Sequence, residues 1–419
     1  MFTISKDANE NYLSKIIRVE NIRKHSNADA LQIVSINGTP AIVDLSVKLG
    51  DIMVFVATES KINQDFLKCN NLFADKLLNE DTEKKGYVNS KGRVKTIKLR
   101  GEYSRAFLLP VSTLEKFLGK HINLESYVGK SFDTVEGILF SEKYCPPTKG
   151  GSCEIQVRNK ELEERLIPDQ FKFHVDTHLL ADNYKKIDPD SYIQITKKYH
   201  GTSGIASCVL VNKKLNWFEK FIYKFFNLPM TEYACIASSR KVVRKIERFE
   251  QVEFYSTDVW SWALDNLKPY LQKGLTVYFE IIGYVPNSQS FIQNGYDYGL
   301  ACGDTKLLVY RVTYTSPTGE VFEFSSQQVK EWCKRNSLVH VKELYYGKFK
   351  DFCSENILEY LSTYDAMEQN DPECKNKVPF EGLVVRVDNW KDIEAYKLKS
   401  EKFYLHESEM LDADYVGLE

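Results

Sequence analysis

The residue types best able to do chemistry converge on one segment, SYIQITKKYHGTSG. An alternating apolar run (Tyr192, Ile193, Ile195) reads as a strand that leads into Lys198-Tyr199-His200-Gly201-Thr202-Ser203-Gly204. A lysine leaving a strand into a glycine-containing turn stands at a cleft rim with backbone amides nearby. That setting suits an amine nucleophile attacking a phosphate. Four later segments carry complementary groups. VYFEIIG sets Glu280 on the face opposite Val277, Phe279 and Ile281. LLVYRV supplies Tyr310 and Arg311, and FEGLVVRV presents Glu381 just before Gly382. EAYKLKS points Lys397 and Lys399 to one face of a strand. Two such lysines repel each other unless an anion lies between them.

These residues need a scaffold of strands. Residues 13–112 contain SKIIRVENI, ALQIVSI, PAIVDL, IMVFVAT and RAFLLP, separated by turns such as Asn37-Gly38 and Gly50-Asp51. The pattern predicts a small barrel, foremost of the OB type. The polar residues 64–90 interrupt it as an expected long mobile loop. GRVKTIKLRGEYSR then collects Arg93, Lys95, Lys98, Arg100 and Arg105. This is either a solvated edge strand or a phosphate-facing groove that holds a nucleic-acid strand. Pro146, Pro147, Gly150 and Gly151 mark a boundary. The expected domains are an OB-like nucleic-acid-binding domain (1–140), a linker (141–152) and a mixed α+β domain (153–419). In the latter, NWFEKFIYKFF spaces Phe218, Phe221, Ile222 and Phe225 as a helix whose aromatic stripe is assigned to the core. STDVWSWALDNLKPYLQKG predicts a second helix capped by Ser256 or Thr257, and SQQVKEWCKR a third.

Taken in order, the chemical segments resemble the covalent nucleotidyltransferase superfamily of polynucleotide ligases and capping enzymes. KYHG is similar to its nucleophile motif, FEIIG to the third, VYRV to the motif after it, EGLVVR to the fourth and AYKLK to the fifth. The H-G-T-S continuation is closest to ATP-dependent RNA ligases. HSNADALQI and GRVKTIKLRGEYSRAFLLP resemble the amino-terminal OB module of the Naegleria and Deinococcus type, leaving 64–90 and 205–232 as elaborations. Lys197 departs from the acidic residue expected before the nucleophile. The resemblance implies an OB-like barrel followed by an adenylyltransferase domain with antiparallel sheets. It also implies an RNA ligase that joins 3′-OH and 5′-phosphate ends with ATP and Mg²⁺ or Mn²⁺, through lysyl–AMP and RNA–adenylate intermediates. Lys198 would be the nucleophile; a free lysine, with a pKa of about 10.4, is neutral in only about one molecule in 10³ at pH 7. Lys397 and Lys399 would lower that value and hold phosphate oxygens. Glu381 would hold the metal through water, Glu280 the ribose and Tyr310 the adenine. Arg240 would reach ribose or a strand terminus, Gly201 belongs to the nucleotide-binding turn, and Arg93, Lys95, Lys98, Arg100 and Arg105 would meet RNA.

Composition sets the outer limits. The 419 residues are 43% hydrophobic and 27% charged, which excludes intrinsic disorder and a small disulfide scaffold. With 56 Lys plus Arg against 58 Asp plus Glu, any basic surface must be local. Nine cysteines without a C-x-x-C pair suit free thiols in the cytoplasm or another reducing intracellular compartment. No secretory signal, membrane partner or obligate protein partner is expected. Only 20 residues follow Lys399, an acidic tail expected to be too short for the carboxy-terminal OB domain of DNA ligases and capping enzymes. Those activities, and a catalytically idle RNA-binding protein, are the competing readings.

Overall fold

The computed structural model describes residues 1–146, 159–248, 258–352, 367, 369–389 and 392–413. Two sheets organise the chemical segments. The first orders His178–Leu179, Glu394–Lys399, Gly382–Val387, Tyr192–Lys198 and Glu343–Lys348. The second orders Val243–Arg248, Thr231–Ser239, Thr202–Asn212, Leu275–Gly283, Thr305–Thr315 and Val321–Glu323. All neighbours are antiparallel except His178–Leu179, which runs parallel to Glu394–Lys399. One sheet stops at Lys198 and the other starts at Thr202, so the KYHG turn joins them.

Alternation builds the cores. Ile193 and Ile195 pack with Leu383, Val385 and Val387 in the first sheet. On the second, the helix Val259–Leu267 buries Trp260, Ala263, Leu264 and Leu267 against Cys208, Val277 and Phe279. Asp258 caps this helix, its carboxylate accepting from the Trp260 and Ser261 amides; Ser256 and Thr257, the expected caps, lie outside the described residues. The helix Ser326–Arg335 begins with a capping box between Ser325 and Gln328.

The chain divides into two units, one of Met1–Pro147 with Glu401–Tyr415 and the other of Thr148–Ser400 with Val416–Glu419. The expected single block from 153 to 419 thus gives up its last helix, Glu401–Asp412, to the amino-terminal unit. Burial explains this: Phe403 and Ser408 are buried, and Ser408 bonds the Thr96 amide at 3.0 Å. Of the expected linker, Ser141–Lys143 is a strand paired with Ser60–Ile62, and 147–152 lie outside the described residues. The amino-terminal strands split between a four-stranded sheet and several smaller ones, and among the described residues none closes into a barrel. Isolated bonds, Arg105 N to Pro40 O and Ile42 N to Ser104 Oγ, stand where closure would need a ladder.

Two expectations are corrected. Residues 64–90 are not one loose loop. They hold the helix Gln64–Cys69, and Phe66, Leu67, Phe73 and Val88 enter the core because they outweigh the polar residues between them. Asn79 secures the rest, bonding both the amide and the carbonyl of Phe73. The aromatic stripe of the helix Trp217–Phe225 is not core either: Phe218, Phe221 and Phe225 are exposed. Spacing reports which residues share a face, not whether a second layer covers it.

Candidate nucleotide-transfer site

The strand Tyr192–Lys198 carries two lysines in succession, and the pleat sends them apart. Lys197 points inward and is buried with Asp371 at 2.7 Å and Glu373 at 3.2 Å. Tyr199, Tyr298 and Phe380 surround its ammonium at 4.6, 5.2 and 5.6 Å. The charge that looked anomalous beside Lys198 is thereby neutralised by carboxylates more than 170 positions away in sequence. Lys198 points the other way, keeps 25% of its side chain exposed and donates to Glu381 Oε1 at 2.6 Å.

Close packing holds the turn after Lys198. A Cβ on Gly201 would stand 2.2 Å from the Ile281 carbonyl oxygen and 2.9 Å from Glu280 Cγ, so only glycine lets the turn lie on the Glu280 strand. Tyr298 Oη accepts from the His200 amide at 2.7 Å, and Gln293 donates to the Gly201 carbonyl at 2.9 Å. In register, Ser203 faces Glu280, and its hydroxyl donates to Glu280 Oε2 at 2.9 Å. Gly382 pairs with both Lys198 and Lys399, which brings Glu381 between them. At φ +152° and with the Leu398 carbonyl 2.1 Å from any added Cβ, position 382 also admits only glycine.

The electrostatics are strained in opposite directions. Burial lowers Lys397 to about 7, and Lys399, Lys198 and Arg240 add repulsion that Asp176 only partly offsets. Burial likewise raises Glu280 to about 7, the residue being mostly buried on its strand. Glu381 behaves otherwise. Burial would raise it, but Lys198, His200 and Lys399 outweigh that and hold it below the usual carboxylate range. Its Oε2 is buried with no hydrogen-bond partner among the described residues. An ionised carboxylate with one unsatisfied oxygen fits a divalent cation held through water. No group of three metal-ligating side chains occurs among the described residues, so a closed protein cage is not formed here.

Arg240 ion-pairs with Asp176, and both bear on Lys397. Tyr310 is the extra residue in a bulge opposite Tyr278 and Phe279, a device that re-aims a side chain. Its ring meets His174 edge-on at 5.9 Å, and burial raises its hydroxyl pKa. His174, driven down to about 3 by burial and then by Arg240 and Arg311, is neutral there. Arg311, adjacent in the motif, is a structural residue: it forms a bidentate pair with buried Glu323 at 2.7 and 2.8 Å. Lys198, Gly201, Glu280, Glu381, Lys397 and Lys399 therefore gather at one sheet junction, with Arg240 and Tyr310 at its margin. Sequence reasoning missed Asp176, His174, Ser203 and Asp371. Ser203 lay within the quoted turn; nothing local marked the others.

The basic residues of the other unit separate into two groups. Arg93 is an internal tie: it is buried, chelates Glu59 at 2.6 and 2.9 Å, and also bonds Asp412 and the Ser408 carbonyl. Lys95 binds Asp412 at 2.7 Å, and Arg105 binds Glu401 at 2.6 Å. Lys98 and Arg100 remain exposed on the hairpin Ile97–Leu99/Glu102–Ser104. Arg100 (φ +48°) and Gly101 (φ +97°) form its two-residue turn. The HSNAD segment holds this hairpin: His25 Nε2 meets the Leu99 carbonyl at 3.2 Å, and Asn27 donates to the Arg100 carbonyl at 3.0 Å.

Residues 191–399 match the family model described as RNA ligase. No curated protein matches the chain. Among solved structures, the Naegleria gruberi RNA ligase with pyrophosphate aligns with a TM-score of 0.59 at 17% identity, covering 94% of this chain and 98% of that one. A lysine-to-alanine variant of it with ATP and Mn gives 0.57 at 17%, again over 94% and 98%. A lysine-to-methionine variant with AMP and Mn gives the same values, 0.57 at 17% over 94% and 98%. At such identity the likeness is one of fold.

Proposed function

Residues 191–399 are an RNA ligase domain, and from that premise we propose that the protein is an ATP-dependent RNA ligase joining 3′-OH and 5′-phosphate ends. The observation that carries this reading is the convergence of Lys198, Glu381 and the Lys397/Lys399 pair where the two sheets meet. The Lys198 amine attacks the α-phosphorus of ATP. A P–N bond forms, the bond to the β-phosphate oxygen breaks, pyrophosphate leaves and the lysine gives up a proton. An oxygen of an RNA 5′-phosphate then displaces Lys198, forming a pyrophosphate linkage to AMP. Finally the 3′-hydroxyl attacks the RNA 5′-phosphorus, AMP departs and the strand is sealed.

In each step negative charge builds on non-bridging oxygens, and Lys397 and Lys399 are the cations to receive it. Glu381 holds the Lys198 ammonium before nucleotide arrives and retains one oxygen for a hydrated ion. A Mg²⁺ or Mn²⁺ ion bound there supplies positive charge to the phosphates. Glu280, kept in place by Ser203, is suited to ribose hydroxyls, and Tyr310 to the adenine face. The amino-terminal unit is read as an OB-like RNA-binding module, with Lys98 and Arg100 its exposed phosphate contacts. Incubation with radiolabelled ATP or GTP tests the first step: a labelled protein band with ATP, absent in Lys198→Ala, is expected. Sealing of nicked RNA without transfer to a diphosphate end separates ligation from capping.

A further inference from the structure

The connection between the strands Thr202–Asn212 and Thr231–Ser239 carries the helix Trp217–Phe225. Its start is locally encoded: Asn216 accepts from the Glu219 amide, and Glu219 accepts from the Asn216 amide, both at 2.8 Å. Its apolar side nevertheless meets solvent. Trp217, Phe218, Phe221, Phe225 and Phe226 are 81%, 55%, 64%, 73% and 66% exposed, and Leu228 and Met230 extend the patch. At a helical pitch the first four fall within an arc of about 100°. The Phe221 and Phe225 rings stack, with centroids 6.2 Å apart.

Exposed Lys220 and Lys224 border one edge of this arc. Glu219, the acid of the helix, is occupied at the cap. A monomer seldom leaves so continuous an aromatic face in water, so the face has a partner. A nucleic-acid strand would satisfy the lysines and stack its bases on the aromatic rings, but it would leave the Leu228 and Met230 side chains in water. An anionic bilayer surface supplies both negative headgroups and an apolar boundary. Tryptophan beside phenylalanine, with lysines on the flank, is the composition that such an interface selects.

We propose that the helix Trp217–Phe225 is an interfacial anchor that binds the surface of an anionic lipid membrane, lying in the headgroup plane. This departs from the sequence expectation of no membrane partner and is independent of the ligase reading. No helix among the described residues is long and apolar enough to cross a membrane, and surface docking requires none. The strand Thr202–Asn212 spans about 30 Å, so the helix sits far from the Lys198 turn and docking leaves the chemistry untouched.

The test is flotation of the full chain with phosphatidylcholine vesicles, with and without phosphatidylserine. Flotation with the serine lipid is expected, with a blue shift in tryptophan emission that Trp217→Phe removes. Lys220→Glu/Lys224→Glu should weaken binding about tenfold or more. Phe221→Ser/Phe225→Ser should abolish it while self-adenylation and melting temperature are unchanged. No flotation with any vesicle overturns the proposal, as does flotation that survives the double serine variant. Two other results also overturn it in the absence of flotation: a concentration-dependent dimer that this variant dissolves, which assigns the face to a second copy, or RNA binding that this variant loses.

Discussion

At the scale of residues, the two consecutive lysines make opposite predictions. Lys198→Ala should abolish the labelled protein–AMP band, because it removes the amine that donates to Glu381 Oε1 at the sheet junction. Lys197→Ala should retain labelling but lose about 3–5 kcal/mol of stability, since it leaves Asp371 buried without its cation. Equal labelling of wild type and Lys198→Ala would refute the assignment. Lys399→Ala should slow single-turnover sealing of preadenylated RNA by about 10²-fold or more, with Lys399→Arg recovering only part. A wild-type rate would limit Lys399 to nucleotide loading. Glu280 and Lys397 predict a stability profile. Glu280 rises in the fold from 4.5 to about 7, so its contribution is present below 4.5 and is lost as pH climbs through 7. Lys397 falls from 10.5 to about 7, so its contribution is present above 10.5 and is lost as pH drops through 7. Lys397→Met should therefore raise the melting temperature near pH 6 by a few degrees, roughly what 1 kcal/mol produces, while impairing sealing. Melts from pH 5 to 10 check this; an unchanged profile in the variant removes Lys397 as its source.

At the scale of elements, the hairpin Ile97–Leu99/Glu102–Ser104 stores strain at its tip. Arg100 occupies a left-handed conformation that glycine adopts at no steric cost, and it is held there from outside by Asn27. Arg23 braces the strand pair next to the turn through a bidentate pair with Glu102, whose carboxyl this hydrogen bonding lowers to about 2. Arg100→Gly should leave folding unchanged or improve it by up to about 1 kcal/mol. It should also weaken RNA binding and reduce the salt slope by about one ion. Filter binding across a salt series decides: an unaltered slope means that Arg100 meets no phosphate.

At the scale of the whole molecule, the assignment of the last helix changes what a truncation means. Glu401–Asp412 supplies Ser408 and Asp412 to Arg93, so removing residues 1–140 alone would strip that helix of its partners. The informative deletion removes 1–147 and 401–419 together. Such a protein should retain self-adenylation more fully than strand sealing, because every residue gathered around Lys198 belongs to the other unit. If it seals as well as the intact chain, the amino-terminal unit contributes nothing to RNA.

The residues around Lys198 were legible in the sequence for a physical reason. Each sits on or beside a strand, where a period of two states which side chains share a face, and glycines at 201 and 382 mark the close approaches. The same periodicity named the helix Trp217–Phe225 but could not say that its aromatic side meets water. Nor could it pair Lys197 with Asp371, Arg93 with Glu59 and Asp412, or Arg240 with Asp176. Faces within an element are set by local geometry, which the order of residues carries directly. Burial and ion pairing depend on which distant segments arrive at the same place, and only the tertiary structure decides that.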